Sequence, residues 1–136
     1  MSEKCIFCEI AEGRIPAMVI HETGNTVTFL DINPVARGHS LVAAKSHFDD
    51  VSDTDEEVLK EMIVVAKAMG IRIKNKLGAT GYNIFNASGE DAQQSVSHVH
   101  FHIVPRYKKD SLNLWFDTEN IGTSDHDRLQ MQLEEG

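Results

Sequence analysis

Residues 97–106 read Ser97-His98-Val99-His100-Phe101-His102-Ile103-Val104-Pro105-Arg106, with histidine at every second position and large apolar residues between. Side chains spaced by two share a face only in an extended strand; a helix would scatter them around its axis. Val99, Phe101, Ile103 and Val104 are strand formers, so propensity and period agree. The spacing predicts a strand over 97–104 with one apolar, buried side and one side lined by imidazoles. A solvated face that merely happens to be rich in histidine is the bland alternative. Clustered histidines point instead to metal binding or to proton and phosphoryl chemistry.

Outward from this strand, the chain alternates short strand-like runs with one long helical run. Ile6, Phe7 and Ile10 recur at helical spacing before Gly13, which predicts a short N-terminal helix over 5–12. Runs 18–22 and 26–30 read as strands joined by Thr23-Gly24-Asn25, which is hairpin chemistry. Asp31-Ile32-Asn33-Pro34 breaks the second run, because proline bars its predecessor from helix. A third strand is expected over 39–44. The long helix opens near 52–54, where Thr54 and Glu57 fit a capping box, and Val58, Met62, Ala66, Met69, Ile73 and Leu77 keep one apolar face up to Gly78. Run 81–85 is the fourth strand, and 86–94 is a polar loop. These elements predict an α+β fold: a five-stranded antiparallel sheet with one long helix and a short N-terminal helix. The acidic stretch after Asp117 lacks such a pattern, so 1–110 is read as one domain and 111–136 as a partly ordered C-terminal tail.

Composition narrows the function. With 136 residues, 41% of them hydrophobic, the chain supports one core and hardly two. A formal net charge of −8 opposes nucleic acid and anionic membrane surfaces, and no basic patch interleaved with aromatics offsets it. No run reaches the ~18 apolar residues of a membrane span, and Met1-Ser2-Glu3-Lys4 lacks the apolar core of a signal peptide. A soluble, cytoplasmic protein is expected. The only cysteines, Cys5 and Cys8, form a Cys-x-x-Cys outside any βαβ context, which favours metal over thioredoxin-like redox chemistry.

A neutral imidazole is a competent nucleophile toward phosphorus without a helper base. His100, the middle of the three, is flanked by groups that can orient it or hold phosphate oxygens, which makes it the candidate nucleophile. His102 can meet developing charge on the non-bridging oxygens. Ser95 can donate to the phosphate or leaving group; the residues alone favour a loop serine bonded to its own backbone.

The run Gln94-Ser95-Val96-Ser97-His98-Val99-His100-Phe101-His102 through Arg106 resembles the signature of the histidine triad superfamily. Cys5-Ile6-Phe7-Cys8-Glu9-Ile10, Ile15-Pro16, Phe29 through Pro34, Gly38-His39-Ser40-Leu41-Val42 and Asn86 before a glycine-bearing loop resemble the same pattern in the same order, over about residues 5–107. The resemblance implies hydrolysis or transfer of nucleoside monophosphates through a nucleotidyl-histidine intermediate, and a homodimer whose sheets join. By position, His100 would be the nucleophile and His98 would orient it through its main-chain carbonyl. His102 and Ser95 would hold the phosphate, with Asn86 nearby. Asp31 would accept from the ribose hydroxyls, and Ile6, Phe7, Ile10 and Ile32 would sandwich a purine.

Some of these roles have physical support and a bland counterpart. A carboxylate can bond two vicinal hydroxyls at once, yet Asp31 before Asn33-Pro34 also suits a turn cap. Ile6 and Ile10 equally suit an ordinary core. Gln94 and Ser95 can offer backbone N–H groups to phosphate. The resemblance also implies a structural Cys₂His₂ zinc site of Cys5, Cys8, His47 and His98, with no metal needed for catalysis; the alternative is two reduced cysteines packed under the sheet. His21, His39 and His126 default to ordinary histidines, though His39 follows the Gly-His pattern. Gln94-Ser95 resembles the phosphoramidate-cleaving branch and Val104-Pro105-Arg106 the dinucleoside polyphosphate branch. A nucleotide-binding module with little turnover, and a zinc hydrolase using all three histidines as ligands, are the competing classes. Trp115 is read as a packing residue of the tail, the alternative being a part of the substrate pocket, reached across a dimer.

Overall fold

Two helices and a sheet hold residues 97–106 from both sides. The computed structural model describes residues 5–134; the Met1-Ser2-Glu3-Lys4 opening and tail residues 135–136 lie outside the described residues. The elements are α1 (Ile6–Ala11), β1 (Val19–Glu22), β2 (Thr26–Leu30), β3 (Ser40–Ala44), a 3₁₀ turn (Val51–Asp53), α2 (Glu56–Leu77), β4 (Gly81–Phe85), β5 (His100–Arg106) and α3 (Thr123–Glu134). The strands form one sheet in the order β1-β2-β3-β5-β4, each neighbouring pair antiparallel. The expected α+β architecture with five antiparallel strands is therefore present.

Strand alternation gives the sheet two buried faces. On one, Val42, Ala44 and Ile103 pack under Met62, Val65, Ala66, Met69 and Ile73 of α2. On the other, Val27, Phe29, Leu41 and Ala43 pack under Phe7 of α1. His100 opposes Ala43, and His102 opposes Leu41 on one side and Phe85 on the other, so the imidazoles lie on the α1 face. The bland alternative of a solvated histidine face does not hold, because α1 roofs that face and leaves His98 fully buried.

Two boundaries differ most from expectation. β5 starts at His100 because residues 95–98 form bends: His98 N–H bonds Val96 O at 2.8 Å, and Val99 N–H leaves the ladder for Phe48 O at 2.8 Å. The capping box lies one turn before α2, where Asp50 and Asp53 cap the 3₁₀ turn, and Thr54 Oγ1 donates back to Asp50 O at 2.6 Å. Asp55 is the N-cap of α2 and makes no side-chain cap bond. The helix ends as expected at Gly78, whose φ of 77° is the left-handed cap that glycine adopts without strain. The tail contains α3, which the sequence reading lacked; all twelve of its residues are exposed. No helix among the described residues is long and apolar enough to cross a membrane.

Candidate functional site

β5 lies between β3 and β4, so its imidazoles are held from both sides. His100 Nδ1–H donates to the main-chain oxygen of His98 at 2.7 Å. The proton is thereby fixed on Nδ1, and the Nε2 lone pair is free of any hydrogen bond among the described residues. Burial lowers the His100 pKa, partly opposed by the bond to His98. The ring is therefore neutral at pH 7. Phe7 meets it edge-on with centroids 5.0 Å apart.

His102 is set up differently. Val35 N–H donates to His39 Nδ1 at 3.2 Å, so the proton of His39 is on Nε2. That nitrogen faces His102 Nδ1 at 2.9 Å, which must accept and leaves its own proton on Nε2. His102 therefore presents an N–H donor. Burial, then repulsion from His100 and His39, lowers its pKa to about 4. Phe85 stacks on the ring at 4.5 Å and 16°. His39 is itself buried, with Asp31 Oδ2 3.6 Å from its Nε2. The sequence reading left His39 as an ordinary histidine; its Gly38-His39 placement was the available signal.

The ring of His98 turns the other way. Its Nε2–H donates to Ala44 O at 2.6 Å, leaving the Nδ1 lone pair toward Cys5 Sγ at 3.3 Å and Cys8 Sγ at 3.5 Å. His47 Nδ1 lies 3.4 Å from Cys8 Sγ while its Nε2 is tied to Asp49 at 3.0 Å. The four ligand atoms lie within 4.8 Å of one another. Both rings thus turn a lone pair toward the sulfurs and give their N–H to an outer acceptor, the arrangement that metal-binding histidines require. Burial, and then Cys5, pushes the Cys8 thiol up to about 11, which a cation between the sulfurs would reverse. The donor set suits tetrahedral zinc, and four protein ligands leave no position for a reacting water. His98, His100 and His102 do not converge as one ligand set among the described residues.

The HIT domain family model matches residues 12–109. The chain belongs to this family. The chain is 36% identical over 102 residues to a protein of Schizosaccharomyces pombe named adenosine 5′-monophosphoramidase, an alignment spanning 75% of this chain and 74% of that one. A HIT family protein from Bacillus subtilis matches with TM-score 0.87 at 33% identity, covering 96% of this chain and 95% of the other. A zinc-bound histidine triad protein from Mycobacterium smegmatis matches with TM-score 0.78 at 39% identity, covering 85% and 84%.

Within this HIT domain the remaining candidate residues fall into two groups. Some border open space. Ile6 and Ile32 are 47% and 84% exposed, Ser95 is exposed with no bond to other described residues, and Asp31 is partly buried. Asp31 Oδ1 accepts Asn33 N–H at 2.8 Å, so the turn-cap role is real, while Oδ2 points toward His39. Others are engaged elsewhere. Phe7 is buried core, only 6% exposed, and Ile10 packs against the same cluster. Asn86 Nδ2 donates to His100 O at 2.8 Å, bracing the strand. The Gln94 amide binds Gly89 N, Asp49 O and Val96 O, and its backbone N–H goes to Gly89 O, so it has no N–H to spare for phosphate. Trp115 is not buried among the described residues, which favours its pocket role. It is 81% exposed and lines, with Phe85, Asn86, Phe116 and His102, a cavity of about 440 Å³.

Proposed function

We propose that this HIT protein hydrolyses purine nucleoside 5′-phosphoramidates through a nucleotidyl-His100 intermediate. The observation that carries this reading is the bond from His100 Nδ1–H to His98 O, which leaves the Nε2 electron pair for attack. Nε2 adds to the α-phosphorus and the P–N bond breaks with its electrons on the leaving nitrogen, which takes up a proton supplied through Ser95. His102 Nε2–H holds a non-bridging oxygen as charge develops. Water then adds to phosphorus and gives up the proton that replenishes Ser95, the P–Nε2 bond breaks with its electrons on Nε2, and nucleoside monophosphate leaves with neutral His100 restored. Asp31 accepts from the ribose, and the exposed pair Ile6 and Ile32 flanks the base. Ser95 and the cavity beside His102 receive the leaving group.

The phosphoramidate class is favoured over dinucleoside polyphosphates because Arg106 is committed. Its guanidinium bonds Asp110, Asn83 and Leu112 O, so it is not free to meet additional phosphate charge. The fungal relatives named adenosine 5′-monophosphoramidase support the same choice. Cys5, Cys8, His47 and His98 hold a structural zinc. The protein acts in the reducing cytoplasm as a homodimer, its sheet continued through one of the two edge strands, β1 or β4.

The test is kcat/KM for adenosine phosphoramidate and diadenosine tetraphosphate, measured side by side with EDTA present. Preference for the first, at least 10³-fold lost in His100→Ala and accompanied by a trappable adduct on His100, is the expected result. Equal failure on both substrates with AMP still bound would leave a binding module instead.

A further inference from the structure

The sheet face opposite His100 carries a groove that the reaction does not use. α2 covers the centre of the sheet and leaves a cavity of about 430 Å³ between its C-terminal half and the β1–β2 side. The floor is Ile20, Leu30, Met69, Ile73 and Leu77, all aliphatic or thioether. The rim is Arg37, Arg72 and Lys76, and no carboxylate lines the cavity.

Three exposed cations gathered in a chain of net charge −8 need a reason. The negative end of the α2 dipole accounts for Lys74 and Lys76 in the last turn. It does not account for Arg37, which belongs to a separate loop, nor for Arg72 a turn earlier. None of the three rim cations has an ion-pair partner among the described residues. The volume lies within the range of small-molecule sites. With no aromatic plane for stacking, the lining is poor for a nucleobase and suited to an aliphatic body, and the rim suits one anionic head.

We propose that this groove is a second ligand site, taking a soluble aliphatic carboxylate whose chain lies on Ile20, Leu30, Met69 and Leu77 and whose head meets Arg37, Arg72 and Lys76. The site stands independently of the nucleotide reaction. Its wall includes Gly38, next to His39, so an occupant bears on the turn that orients His102.

The test is an NMR titration of the full chain with decanoate, below its micelle concentration, beside decyltrimethylammonium at equal concentration. Saturable amide shifts confined to Ile20, Leu30, Arg37–Gly38 and 69–77, with decanoate alone, are expected. Arg72→Glu combined with Lys76→Glu should weaken binding about tenfold, the loss of roughly 1.4 kcal/mol in charge pairing. Ile20→Trp, which fills the groove without altering charge, should abolish the same shifts. Equal response to the cationic amphiphile, shifts elsewhere, or binding indifferent to both variants would overturn the proposal.

Discussion

The main-chain oxygen of His98 accepts the Nδ1 proton of His100 at 2.7 Å, so the residue that aims the candidate nucleophile also turns its ring toward two thiols. The candidate metal cluster and the orientation of the candidate nucleophile therefore meet in one residue. Zinc at 100 times its Kd would stabilise the folded chain by about 2.7 kcal/mol. Removing it, by chelation or by Cys5→Ser with Cys8→Ser, should lower Tm by roughly 5–10 °C. Calorimetry with and without one equivalent of zinc checks this, and an unchanged Tm would remove zinc from the structure.

Acid should destabilise the fold before it protonates the buried imidazoles. His39, His98, His100 and His102 are all lowered chiefly by burial, His102 to about 4, whereas the unfolded chain titrates near the ordinary 6.5. Between about pH 4 and 6.5 the unfolded state binds more protons, so stability rises with pH across that window. It is complete above about 6.5 and is lost as pH falls toward 4. Thermal melts from pH 7.5 to 4.5 should show Tm falling on acidification; a rise toward pH 5 would contradict the assignment.

Asp31 stands where it caps a turn and also faces His39. If it reads the ribose, Asp31→Asn should raise KM for a ribonucleotide substrate about tenfold and compress the preference over the 2′,3′-dideoxy analogue, as a charge-assisted pair weakens. Equal losses on both sugars would assign it to the turn alone.

Gly70 in α2 leaves space that Tyr82 fills. A methyl group there would lie 2.7 Å from a ring carbon. Helix propensity favours Gly70→Ala by about 1 kcal/mol, but overpacking costs about 1–3. Denaturant titration should show net destabilisation in the single variant, relieved when Tyr82→Leu removes the ring.

Much of this was legible locally. Alternation pointed to a strand, which holds His100 and His102 while His98 lies just before it, and the Cys5–Cys8 spacing pointed to a cluster that His47 and His98 complete, because both signals are short-range. The roles of individual rings were not, since they depend on partners far away in sequence. His98 faces Cys5, 93 positions distant, and His102 faces His39, 63 positions distant. Gln94 read as a backbone phosphate donor because nothing in the sequence showed that its main-chain N–H is consumed by Gly89 O. α3 escaped notice because no buried stripe marks it; Leu129 and Leu133 are exposed.

The last strand made is the one that fills the gap between β3 and β4. During synthesis, a nascent chain released only as far as β4 has two unjoined pieces of sheet and no candidate nucleophile. Closure of the sheet and the candidate nucleophile then arrive together, when residues 100–106 emerge and insert. A chain interrupted before that point would lack the candidate nucleophile as well as the closed sheet, although Ile6, Asp31 and Ile32 would already have been made.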